Sequence, residues 1–147
     1  MNSETAYEIG ETLRNLSWQG DSNYKQLARE AIDWFERGTL LNPFDPYDYM
    51  KLGMCLDWLE RHDEAAPFFE KAVRCDPNNY YVLVHQGWHF FQVEAYGSAK
   101  QWFDRSVKMK WWDNPIAYSY LRLVERKLSK QENQNDSGKP GMNNPNK

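Results

Sequence analysis

Long apolar runs are missing from this 147-residue sequence. No stretch approaches the roughly 18 consecutive apolar residues that a membrane-spanning helix requires, so no membrane span is expected. A cationic excess is missing too: 18 Lys and Arg stand against 21 Asp and Glu, a formal net charge of −3. A nucleic-acid partner is therefore not expected, because phosphate binding rests on a basic surface. Only two cysteines occur, Cys55 and Cys75, too few for a disulfide framework. The opening MNSETAYEIGETLRNLSW has no basic start followed by an apolar run, so no secretory signal is expected. The compartment that follows is the cytoplasm, with both thiols reduced. No glycine-rich phosphate loop, nucleophile elbow or zinc motif occurs. His85 and His89 lie four apart, as a helical metal pair would, but no third ligand accompanies them, and both read as polar residues on a packed helix. No catalytic residue, metal or cofactor is expected, and the chain does not read as an enzyme.

Aromatic residues are abundant instead, at 16%, with seven Trp and nine Tyr. They fall on a period. The step from Ala31 to Ala65 equals that from Ala65 to Ala99, and Phe35, Phe69 and Phe103 each follow four later. Pro43 and Pro77 keep the same interval, with Trp111 in the third place, as do Gly53 and Gly87. Tyr49, Leu52, Gly53 and Leu56 form one helix face, and Ala65, Phe69 and Ala72 one face of the next. A small residue lets two helix backbones approach, and the aromatic ring fills the space beside it. Glu60 to Asp63 read as the turn between these helices, with Asp63 as N-cap of the second, and His62 as solvated. Asn114-Pro115 read as N-cap and first residue of a further helix carrying Ile116, Tyr120, Leu121, Val124 and Leu128 as a stripe.

The stretch 46–79 resembles a tetratricopeptide repeat at Leu52, Gly53, Ala65, Phe69, Ala72 and Pro77, with Tyr49 where that family prefers Trp. The stretch 80–113 resembles it at Leu83, Gly87, Phe90, Tyr96, Ala99 and Phe103, departing at Ser106 and Trp111. The first unit keeps Ala31, Phe35 and Pro43 but lacks the family's glycine and its usual first-helix pattern. Its first helix is expected over about 3–17, with a turn at Gln19 to Ser22. The resemblance implies an all-α, right-handed helical-repeat solenoid of about three hairpins (about 3–45, 46–79 and 80–113) with a C-terminal capping helix over 114–128. Residues 129–147, polar and without periodicity, are expected to be a disordered tail.

In this family the first helices of successive hairpins line a concave side. Carried onto this sequence, the family's inner positions are Tyr47, Met50, Met54, Asp57 and Trp58, then Tyr81, Val84, Trp88, Phe91 and Gln92, then Tyr118, Arg122, Glu125 and Arg126 on the capping helix. The expected peptide-binding groove is Tyr47, Met50, Met54, Trp58, Tyr81, Trp88, Phe91, Tyr118 and Arg122. Independently of the family, Trp88 and Phe91 lie off the Leu83-Gly87-Phe90 stripe, and a helix apolar on two sides needs two burial partners. Some family members grip a C-terminal carboxylate with Lys, Asn and Arg. The matching positions here, Leu16, Gly20, Lys51, Tyr81 and His85, lack that set. The function implied is a protein- or peptide-binding scaffold that captures an apolar or aromatic segment.

Two alternatives stand beside it. Asn42 to Tyr47 and Trp111-Trp112 resemble repeat segments attached to bacterial O-antigen ligase or polymerase proteins, implying an accessory domain of a polysaccharide or glycan-transfer system. A homo-oligomer, with the groove or Trp111-Trp112 covered by a second copy, is the other. One of these two tryptophans is expected to tuck over the capping helix and the other to be exposed. The basic cluster Lys108, Lys110, Arg122, Arg126, Lys127 and Lys130 reads as a solvated helix end.

Overall fold

The computed structural model describes residues 1–138. Seven helices follow one another among them: α1 Ser3–Trp18, α2 Tyr24–Leu41, α3 Pro46–Trp58, α4 His62–Cys75, α5 Tyr80–Gln92, α6 Tyr96–Met109 and α7 Pro115–Ser137. They pair as hairpins α1/α2, α3/α4 and α5/α6, and α7 closes the last one by packing on α6 and α5.

The contact that builds each hairpin is a ring against a helix backbone. A Cβ added to Gly53 would meet Phe69 at 2.7 Å, and one on Gly87 would meet Phe103 at 2.7 Å. Both rings are fully buried. The first hairpin makes the same contact through a glycine that the period conceals: a Cβ on Gly10 would meet Phe35 at 2.9 Å. Gly10 and Phe35 lie further apart in sequence than Gly53 and Phe69 or Gly87 and Phe103. The first hairpin therefore does have its glycine, and the sequence period misses it because α1, α2 and the turn between them are all longer.

Turn chemistry repeats as well. Glu60 and Glu94 both adopt φ of 60°. Arg61 N–H bonds the Leu56 carbonyl and Ala95 N–H bonds that of Phe90, both at 2.9 Å, closing each helix in a Schellman pattern. Gly20, at φ 80°, holds the left-handed position in the first hairpin.

Several local expectations change. The helix α4 starts at His62, so Asp63 lies in its first turn and does not cap it; no side chain caps that end. Asn114 occupies the N-cap position of α7 but makes no side-chain capping bond; its Nδ2 donates to Ser106 Oγ and the Lys110 carbonyl, both at 3.1 Å. Ser106, which departs from the family's alanine, is buried and donates to the Tyr80 carbonyl at 2.7 Å. The helix α7 does not end at Leu128 but runs to Ser137. Leu128 is the last residue packed on the core. Beyond it the Lys, Gln and Glu residues are good helix formers, and neither Gly nor Pro interrupts them before Gly138. The expected tail is thus helical over 129–137, and 139–147 lie outside the described residues. Trp111 and Trp112 are both exposed, at 69% and 56%, and pack edge-on against each other at 5.6 Å, so neither tucks over α7.

Candidate functional site

The first helices of the hairpins, with α7, line one side of the molecule, and two cavities adjoin there. The central one, of about 280 Å³, is lined by Arg14 and Trp18 from α1, Lys51 and Met54 from α3, Tyr81, His85 and Trp88 from α5, and Ile116 and Tyr120 from α7. Tyr81 separates it from a second, of about 510 Å³, lined by Ser3, Glu4, Tyr7, Asp45, Tyr47 and Tyr81.

A charged triad underlies the central cavity. Glu11 accepts from both Arg14 Nε and Lys51 Nζ. Burial raises the pKa of the Glu11 carboxyl, but those two hydrogen bonds outweigh it and hold it below the usual range. Burial also lowers the Lys51 ammonium, against the pull of Glu11. Arg14 is buried, lies over the Trp18 ring at 4.8 Å and keeps its Nη1 without a hydrogen-bond partner among the described residues. With Glu11 neutralising one of two cations, the cavity floor carries one net positive charge. Burial pushes His85 down to about 4, so it is neutral near pH 7. Its Nδ1 donates to the Tyr81 carbonyl at 2.7 Å, leaving Nε2 as an acceptor.

A second polar group braces the wall. Asp57 is buried; its two oxygens accept from His62 Nδ1 and His89 Nδ1, both at 2.8 Å. His62 is therefore paired rather than free in solvent. His89 also stacks on Phe69 at 5.0 Å, so α3, α4 and α5 are tied at one point. Neither His85 nor His89 has further ligands, and no group of three His, Cys, Asp or Glu among the described residues is placed to hold a metal. Cys55 is buried and its thiol pushed up to about 12 by that burial; both cysteines are free.

The expected groove residues divide. Tyr47, Tyr81, Trp88 and Met54 line the two cavities. Trp58 is partly exposed, set between Trp18 and Tyr24, and donates through Nε1 to Ser17 Oγ at 3.0 Å. Met50 is fully buried and belongs to the core, as does Val84. Phe91 packs on Tyr96 and Tyr120 at 5.4 and 5.3 Å, spending its ring inside the solenoid. Tyr118 and Arg122 do not reach the cavities; Tyr118 donates to the Trp111 carbonyl at 2.7 Å and Arg122 is exposed beside Glu125 and Arg126. The cause is a longer linker. Positions 110–114 join α6 to α7, one position more than the 42–45 and 76–79 linkers that join α2 to α3 and α4 to α5. One residue turns a helix by about 100°, so Ile116 and Tyr120 face inward instead.

Register also explains what the sequence missed on α1. Counted from Gly10, Glu11 falls on the inner side of α1, where it pairs with Arg14 and Lys51. Recognising Gly10 as the partner of Phe35 would have placed Glu11, Arg14 and Trp18 on the inner side.

The family model for the tetratricopeptide repeat matches residues 46–79. No curated protein sequence matches the chain. Among solved structures, the chain is similar to YrrB, described as a TPR protein with an unusual peptide-binding site, at 21% identity and a TM-score of 0.67, over 83% of this chain and 58% of that one. It thus spans little more than half the length of YrrB. It is similar to the TPR2B domain of yeast Sti1 in complex with pHsp70 at 20% identity and a TM-score of 0.71, covering 88% of this chain and 97% of that one. For the Sgt2 TPR domain from Aspergillus fumigatus the values are 17% and 0.68, over 93% and 88%. Residues 46–79 are a tetratricopeptide repeat, and the chain has the tetratricopeptide-repeat fold.

Proposed function

We propose that this chain is a protein-interaction module holding a peptide segment of a partner along the inner sides of α1, α3, α5 and α7. The observation that carries this reading is the central cavity, where four helices contribute Trp18, Met54, Tyr81, Trp88, Ile116 and Tyr120 around a buried cationic floor. Aromatic walls around a few fixed polar groups suit a ligand that buries apolar side chains and satisfies a small number of hydrogen bonds. Arg14 Nη1, buried and unpartnered, gains most from such a ligand. Peptide binding by YrrB and the Sti1 domain's complex support the same use of the fold. The segment captured is apolar or aromatic, and the working set is Trp18, Met54, Trp58, Tyr81, Trp88, Ile116 and Tyr120, with Tyr47 at one end. Peptides selected from a display library against the full chain should cross-link to photoreactive residues placed at Trp18 or Ile116 and not to ones at Arg29 or Gln101, on second helices. Equal cross-linking at both sets would sink the reading.

Self-association is a second reading, favoured by the exposed Trp111-Trp112 pair. Light scattering across protein concentrations should then show a dimer that Trp111→Ser with Trp112→Ser removes; a mass that stays monomeric throughout rejects it.

A further inference from the structure

The cavity at the N-terminal turns of α1, α3 and α5 differs in chemistry from the central one. Its walls are three tyrosines, Tyr7, Tyr47 and Tyr81, and its charged groups are Glu4 and Asp45; no Lys or Arg lines it. A third carboxylate, Asp48, is buried with both oxygens unpartnered, within electrostatic reach of Tyr7 and Asp45. We propose that this cavity takes a basic side chain of the bound partner, lysine or arginine, with the tyrosine faces around its stem and head and Glu4 and Asp45 as counter-charges. The proposal rests on the inner side being the binding side and names one chemical requirement of the partner.

The rings are already in place. Tyr47 Oη accepts from Asn79 Nδ2 at 2.9 Å, and Tyr7 packs edge-on against Phe35 at 5.8 Å. Tyr47 and Tyr81 are 6.4 Å apart and tilted by 56°, so they are not closed on each other as a flat stack. Asp45 is fixed too, because Oδ1 accepts from Tyr47 N–H at 2.8 Å. A cation over such rings is attracted by their quadrupoles, and its aliphatic stem covers their apolar surface. Pre-set rings and carboxylate lower the ordering cost of binding. The three helix N-termini nearby act in the opposite sense, since their dipoles favour anions. Their first-turn amides are already engaged: Asn2, Asp45 and Asn79 accept from Thr5, Tyr47 and Tyr81. Against these screened partial charges stand two carboxylates with no lining cation. An acidic side chain would be repelled here, and a purely apolar one would strip water from Glu4 and Asp45 without replacing it.

The test is titration of the full chain, followed by NMR, with four capped amino acids: the N-acetyl methylamides of lysine, arginine, norleucine and glutamate. The expected result is saturable shifts of the Tyr7, Tyr47 and Tyr81 ring signals with lysine and arginine alone. Binding should weaken about tenfold in Glu4→Gln with Asp45→Asn. Asn caps a helix as well as Asp, so this variant keeps the fold. No saturable shift with either cation, equal shifts with norleucine, or equal affinity in the charge-neutral variant each overturns the proposal. If library peptides still cross-link to the inner side, only the basic-side-chain requirement falls; if they do not, the binding side itself is wrong.

Discussion

The first hairpin and the two that follow reach the same packing by different sequence routes. In the second and third, glycine and phenylalanine keep one common separation, and the rings of Phe69 and Phe103 close on Gly53 and Gly87. In the first, a longer stretch of chain separates Gly10 from Phe35, yet that ring is equally buried against its glycine. The repeat is thus defined by a ring-on-backbone contact, and helix length around it is free to vary. The junctions teach the converse. At the α4/α5 junction Ala72 and Val82 are buried and apolar; one repeat earlier, at the α2/α3 junction, stand Gly38 and Asp48. The Asp48 carboxylate fills the space where a Gly38 side chain would be, and finds no hydrogen-bond partner among the described residues. The first junction carries a polar burden that the second does not.

The largest expected effect is on the shared contact. Phe35→Ala and Phe69→Ala should each cost about 3–5 kcal/mol in chemical denaturation, because each leaves a ring-sized cavity. Equal costs would show that the longer first hairpin uses the same contact; a cost at Phe35 below about 1 kcal/mol would break the equivalence.

Next comes the junction. Burial, then the charge of Asp45, raises the Asp48 pKa to about 7. Its unfolded value is near 3.8. Below about pH 4 the acid is protonated in both states and costs nothing as a charge. Between about pH 4 and 7 the folded state resists ionisation and stability falls, and the full penalty stands above pH 7. Asp48→Val, which copies the second junction, should stabilise the fold by up to about 4 kcal/mol above pH 7, with the gain shrinking as pH drops toward 4. A gain independent of pH would mean that the charge of Asp48 is not the cost.

The smallest effect is in the turns. Glu60→Gly relieves a non-glycine left-handed residue, and should gain about 0.5–1 kcal/mol after the entropy cost of glycine. Gly20→Ala should lose a similar amount, since Gly20 already sits at φ 80°. Thermal denaturation of both variants checks the opposite signs.

Particular residues show why some of this was legible in sequence and some was not. Ala65, Phe69, Ala99 and Phe103 keep a strict interval because their helices have equal lengths, so both the second and third hairpins could be read off directly. Gly10 could not, because the interval that would reveal it is stretched. The inner face was legible where register was unbroken, at Tyr47, Met54, Tyr81 and Trp88. It failed on α7, where the longer linker brought Ile116 and Tyr120 inward in place of Tyr118 and Arg122. Depth was the other gap: a family position says which way a side chain points, not whether neighbours cover it, and Met50 and Asp57 are covered. The helix over 129–137 was hidden because polar composition without periodicity describes a solvated helix as well as a coil.

If a partner lies along the first helices, the tryptophans report on it directly. Hydroxyl-radical footprinting of the full chain with a selected peptide bound should protect Trp18, Trp58, Tyr81 and Trp88. Trp34 on α2 and Trp102 on α6, each beneath an arginine at 4.8 and 5.0 Å, should keep their reactivity. Protection of Trp34 and Trp102, with the inner residues unchanged, would contradict binding along the first helices.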